Sequence, residues 1–172
     1  LYAAYDLLRR QQTGDLLSDG AVVTEMPSYD IRILNHWDNP DGTVERGYAG
    51  RSIWKWDELP ETVSPLYKEY ARTNASVGIN AVVLNNVNAK PQMLSTGMLR
   101  KVAVIADVLR PYGIRTYLSV NFASPKALGE LPTADLLDAD VQRWWKKKTK
   151  EIYRLIPDFG GFLVKANSEG EP

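Results

Sequence analysis

Ile79-Asn80-Ala81-Val82-Val83-Leu84-Asn85-Asn86 decides the fold: an apolar strand whose end turns abruptly to amides. A helix precedes it. Leu59-Pro60-Glu61 opens that helix, proline being suited to an early helical position. Val63, Leu66, Tyr70 and Ala71 mark its stripe, and Gly78 closes it. A second helix follows the strand. Ser95-Thr96 stand before it, Leu99, Val102, Ile105, Ala106 and Leu109 form its stripe, and Pro111 and Gly113 end it. Further out, Tyr29-Asp30-Ile31-Arg32-Ile33-Leu34-Asn35-His36 is the preceding strand. Ile114-Arg115-Thr116-Tyr117-Leu118-Ser119-Val120 is the next, ending in Asn121. A third helix carries Val141, Trp144, Trp145, Ile152, Leu155 and Ile156, with Lys146-Lys147-Lys148 on its wet face. It leads to a fourth strand, Gly160-Gly161-Phe162-Leu163-Val164, ending in Lys165 and Asn167.

Strands alternating with helices mean parallel strands joined by right-handed crossovers, an α/β fold. Four such units are half of a (β/α)8 TIM barrel, whose full length is about 250 residues. A doubly wound sheet is the rival, but no Gly-rich phosphate loop follows any strand; His36-Trp37-Asp38-Asn39 stands where one would begin. The polar strand tips favour the barrel, over residues 29–172. Residues 1–28 read as the end of a preceding N-terminal domain and a linker. Tyr5, Leu7 and Leu8 lie on a helix remnant broken at Gln11-Gln12-Thr13-Gly14, and a short apolar strand or link runs over 21–28. The start at Leu1 without Met, and the stop at Pro172 after a polar cluster, lead us to expect a piece of a longer protein.

Composition narrows the function. The 21 basic and 21 acidic side chains cancel, which lacks the footprint of a nucleic-acid binder. No apolar run reaches the roughly 18 residues that would span a membrane. There is no cysteine, and His36 is the single histidine, so disulfides, thiolate metal sites and a histidine-built metal site are not expected. Five Trp and nine Tyr against three Phe skew the aromatics toward rings with a polar handle, which can stack on sugars and bond their hydroxyls.

In a barrel the active site lies at the C-terminal ends of the strands. Those tips read Asn35-His36-Trp37-Asp38-Asn39, Asn85-Asn86 with Asn88, Asn121, and Lys165 with Asn167-Ser168-Glu169. Amides donate and accept at once, which suits vicinal hydroxyls, although asparagine at a strand end also simply makes turns. A carboxyl desolvated at such a tip is raised in pKa and can serve as a general acid. Glu169 and Glu171 both qualify. Lys165 could pair an anionic substrate group, form a Schiff base, or make a structural salt bridge. Trp37 is either a wall of a sugar pocket or a core ring, and His36 is expected as a hydrogen-bonded neutral ring.

Leu34-Asn35-His36-Trp37-Asp38-Asn39, Glu45-Arg46-Gly47-Tyr48-Ala49-Gly50 and Ser52-Ile53-Trp54 resemble the signature of family 67 α-glucuronidases. So do Ala75-Ser76-Val77-Gly78-Ile79-Asn80 running into Asn85-Asn86-Val87-Asn88, and Phe162-Leu163-Val164-Lys165-Ala166-Asn167-Ser168-Glu169-Gly170. The resemblance covers roughly residues 20–172. It implies an N-terminal α/β domain, a central (β/α)8 barrel and a helical C-terminal region that mediates homodimerisation. It implies removal of 4-O-methyl-glucuronic acid from xylooligosaccharides with inversion and without a cofactor. Glu169 matches the general acid, which separates it from Glu171. Lys165 matches a uronate-binding residue and Trp37 a pocket-lining ring, while His36, Asn86, Asn121 and Asn167 are the further substrate-binding candidates at the tips.

The general base of the family, described as an Asp and a Glu, lies on later strands, as do an Arg and a Lys that complete carboxylate recognition. The 172-residue chain is therefore expected to be inactive by itself. A non-catalytic carbohydrate-binding fragment and a Schiff-base lyase centred on Lys165 are the alternatives.

Overall fold

The computed structural model describes residues 1–15, 17–18 and 20–165. Strands β1 (Ile33–Asn35), β2 (Ala81–Val83), β3 (Arg115–Ser119) and β4 (Gly161–Leu163) lie side by side in sequence order, every neighbouring pair parallel. Helix α1 (Tyr2–Thr13) precedes them. Helices α2 (Pro65–Ser76), α3 (Thr96–Leu109) and α5 (Ala139–Leu155) make the crossovers, and a short α4 (Ser124–Gly129) follows β3. This is an α/β chain with a four-stranded parallel sheet, compatible with part of a barrel.

The strand period of two sorts the sheet into faces. Val82, Leu84 and Leu118 join Leu99, Val102, Ile105, Leu109 and Ile152 in one core between the sheet and the helices. Capping defines the helix starts: the Ser95 hydroxyl accepts from Met98 N at 3.3 Å, and an Asp138 oxygen accepts from the amides of Asp140 (2.8 Å) and Val141 (3.1 Å). Such a cap contributes about 1 kcal/mol. Entry into β4 depends on glycine, because a Cβ on Gly160 would fall 2.1 Å from the Tyr117 ring.

Several expectations are corrected. β1 is only three residues long, and residues 21–28 form no strand and are exposed. The first crossover helix opens at Pro65, not Pro60, because Ser64 supplies a cap while Leu59 is committed to the core. Its buried residues are Tyr67, Ala71 and Ala75, so Val63 and Leu66 are left exposed. Lys148 is not on a wet face: it pairs Glu151 at 2.8 Å and lies 5.7 Å from the Trp144 ring centre. α1 buries none of its side chains.

Candidate active site

The chain leaves β1 still tied to the sheet, His36 N donating to Val83 O at 3.0 Å. Asn39-Pro40-Asp41-Gly42 then turns it back. Asn39 N donates to Thr43 O at 2.8 Å, and Gly42 takes the positive φ of 78° that the turn requires. The Asp41 carboxylate accepts from the Thr43 hydroxyl (2.6 Å), the Thr43 amide (3.1 Å) and Lys90 Nζ (3.0 Å). Those bonds, the hydroxyl's first, hold it well below the ordinary carboxylate range. The returning chain bonds back across the loop, Glu45 N to Trp37 O at 2.8 Å and Ser52 N to Gly42 O at 2.9 Å.

Beneath this loop runs a line of side chains. His36 Nε2 meets the Tyr70 hydroxyl at 2.7 Å, and His36 Nδ1 meets an Asp38 oxygen at 3.2 Å. The other Asp38 oxygen accepts from Ser52 Oγ, which itself accepts from Trp54 N at 3.0 Å. Asp38 is only 4% exposed, so these partners supply what water cannot. Burial first, and the Asp38 charge second, push the Tyr70 phenol well above its ordinary value. The consistent proton arrangement is Nδ1–H donating to Asp38 and the Tyr70 O–H donating to Nε2, an assignment inferred from the network. Both ring nitrogens of His36 are thereby used. Trp37 stands between the two anchored residues and is itself 37% exposed.

The asparagines bond mainly to protein. Buried Asn86 donates through Nδ2 to Asn39 Oδ1 (3.2 Å) and Glu45 O (3.1 Å), and its Oδ1 accepts from Asn88 N (2.9 Å). Asn39 Nδ2 donates to the same Glu45 carbonyl at 2.8 Å. Asn85 brackets Ser119 on β3, donating to its carbonyl (3.1 Å) and accepting from its amide (2.9 Å). Asn121 donates to Ala89 O at 3.0 Å and accepts from Ala123 N at 2.8 Å. Half-buried Lys165 donates to Asn88 Oδ1 and, among the described residues, faces no carboxylate. A cation partnered only by a neutral amide is suited to an anionic ligand group.

Trp37, His36, Asn86, Asn121 and Lys165 thus gather at one end of the sheet; the bonds of Asn88 and Asn86 link the β4 tip through the β2 tip to the β1 loop. Glu169 and Asn167 lie outside the described residues. Among the described residues, no group of three or more His, Asp or Glu side chains is placed to hold a metal ion.

Residues 11–172 match the description of the glycosyl hydrolase family 67 middle domain. The chain belongs to that family. Relatives align over all of it: "Probable alpha-glucuronidase A" of Neosartorya fischeri at 49% identity, "Alpha-glucuronidase A" of Emericella nidulans at 47%, and "Alpha-glucuronidase" of Hypocrea jecorina at 43%. The chain spans about one-fifth of the length of these curated relatives, 20–21% of each.

Within the family 67 chain, three contributors escape a reading of the residues. Tyr70 reads as a core stripe residue, and nothing near it in sequence signals a bond to His36, 34 positions away. Asn88 reads as one more tip amide until Lys165 meets it across 77 positions. Glu45 takes a left-handed φ of 60°, which a glutamate does not announce. That conformation costs about 1–2 kcal/mol. The three main-chain bonds holding it, at about 1 kcal/mol each, offset it.

Proposed function

We propose that this family 67 chain forms the first four βα units of a (β/α)8 barrel, with residues 1–28 leading in from a preceding domain. Within a longer polypeptide it supplies the acid-bearing half of an inverting α-glucuronidase. The substrate is a xylooligosaccharide carrying 4-O-methyl-D-glucuronic acid, and no cofactor takes part. Dimerisation, if the polypeptide follows its family, uses a region outside this chain.

The observation that carries this reading is that the strand tips present an exposed Trp37 after β1 and, after β4, a half-buried cation, Lys165, whose partner among the described residues is an amide. An indole face suits the apolar side of a sugar ring, and the ammonium suits its carboxylate. In this role His36, Asn86 and Asn121 act on the substrate chiefly by holding the loops that present Trp37 and Lys165, and Asn167 adds a hydroxyl contact. Glu169 gives its proton to the xylose oxygen as the C1–O bond breaks. Water adds to C1 from the opposite face and loses its proton to a general base outside this chain. The two carboxyl groups of such a pair stand about 6.5–9.5 Å apart.

The test is calorimetry of an aldouronic acid on Glu169→Gln in the longer polypeptide, beside turnover by the unsubstituted enzyme. Binding that survives while turnover disappears supports the enzyme reading. Binding without turnover in both forms favours a carbohydrate-binding fragment instead. The 172-residue chain alone is expected to release no glucuronic acid.

A further inference from the structure

Four positions of the loop after β1 have positive φ. Three are glycines, Gly42 (78°), Gly47 (98°) and Gly50 (99°); the fourth is Glu45 (60°). Glycine adopts this conformation freely, and a residue with a Cβ does not. Where the loop merely turns, it uses glycine. At residue 45 a side chain has been kept in spite of the backbone.

The surroundings explain what is being held. The amide of Glu45 donates to Trp37 O at 2.8 Å, and its carbonyl accepts from Asn39 Nδ2 (2.8 Å) and Asn86 Nδ2 (3.1 Å). Two tip asparagines thus bond to one carbonyl, which immobilises residue 45 directly beside the exposed Trp37. The Glu45 side chain as a whole is 17% exposed, so it packs into the loop rather than extending into solvent. Among the described residues its polar contacts are the Tyr48 hydroxyl at 3.4 Å and Arg46 Nε at 3.9 Å. A charged hydrogen bond normally spans about 2.7–2.9 Å. A carboxylate on a strained, immobilised backbone, in a largely buried side chain whose partners among the described residues are long, is a preorganised acceptor.

We propose that Glu45 is a substrate-binding carboxylate of the strand-tip site, accepting hydrogen bonds from ring hydroxyls of the sugar that lies against Trp37. This rests on the reading of the site as a glycosidase site. Its two oxygens are acceptors only, which matches a vicinal diol, a donor of two protons. The carboxylate also favours neutral hydroxyls over a second anionic group at this edge of the site, and so directs the uronate carboxyl toward Lys165.

The experiment uses the longer polypeptide and a 4-O-methylglucuronosyl xylotriose. Glu45→Gly removes the side chain and relieves the backbone, and Glu45→Gln keeps the shape without the charge. We expect the KM of both to rise about tenfold or more with kcat little changed, the scale of a lost charged hydrogen bond. We expect the thermal midpoint of the glycine variant to be unchanged or higher. A glycine variant with the unsubstituted enzyme's KM overturns the proposal; if that variant loses its thermal midpoint, the KM of Glu45→Gln decides in the same way. Absence of turnover by the unsubstituted enzyme overturns the glycosidase reading itself, and this inference with it. Turnover there with an unaffected Glu45→Gly sinks this inference alone.

Discussion

The helix-facing side of the sheet and the C-terminal ends of its strands are built on opposite principles. Behind the sheet, Val82, Leu84 and Leu118 meet Leu99, Ile105 and Ile152 with apolar contact alone. At the tips, stability comes from named partners: Tyr70 to His36, His36 to Asp38, Asp38 to Ser52, and Asn39 and Asn86 to one carbonyl. Dispersion and burial are indifferent to small shifts in partner, whereas hydrogen bonds fix direction. The first side makes a stable platform, and the second holds loop groups at set positions. Substitutions should separate the two, the first costing stability and the second costing geometry.

The largest expected effect on stability is in the core. Leu99→Ala, at a fully buried position, should lower unfolding free energy by about 2–5 kcal/mol in urea titrations, without changing affinity per folded molecule. Asp38→Ala comes next, at about 1–3 kcal/mol, because it leaves His36 and Ser52 without their acceptor. That variant should also weaken aldouronic acid binding, since the backbone on one side of Trp37 is released. If calorimetry shows it binding as tightly as the unsubstituted protein, the tip network does not position Trp37.

Tyr70→Phe is milder, about 1 kcal/mol, and has a pH signature. Burial and the Asp38 charge raise the Tyr70 phenol, so the unfolded chain ionises first. Stability is therefore complete below pH of about 10 and falls as pH rises beyond it. Phenylalanine at 70 should flatten that alkaline decline, although Tyr67, also raised by burial, keeps part of it. The smallest effect is expected at the surface. Arg110 meets Asp158 at 2.8 Å with both side chains partly exposed, and Arg110→Gln should change the thermal midpoint barely, and less so in high salt.

The same division explains what could be read in the residues. Apolar runs such as 79–84 and 114–120 and the cap at Ser95 declare themselves locally, so the strand and helix order follows from short stretches. Pro60 and Pro65 both suit a first helical turn, and the Ser64 cap together with the burial of Leu59 settles which is used. Lys148 looks solvated within its own run, and its partners Glu151 and Trp144 are set by helix geometry. At the tips, residue types were informative while roles were not. The amides read as sugar ligands, yet Asn86 and Asn121 bond to groups tens of residues away, a fact no local pattern encodes. Glu45 shows the same limit, its backbone strain being a property of the folded loop.

Glycosidase chemistry at the tips through Glu169 is the central proposal. The direct measurement is release of 4-O-methylglucuronic acid from a uronate-substituted xylotriose by the longer polypeptide, unsubstituted and as Glu169→Gln, with the anomer followed by NMR. Release is expected as the inverted anomer, with a loss of about 10²–10⁴-fold in kcat for the glutamine variant and binding retained. Turnover by Glu169→Gln equal to that of the unsubstituted enzyme, or release with retention, would contradict it.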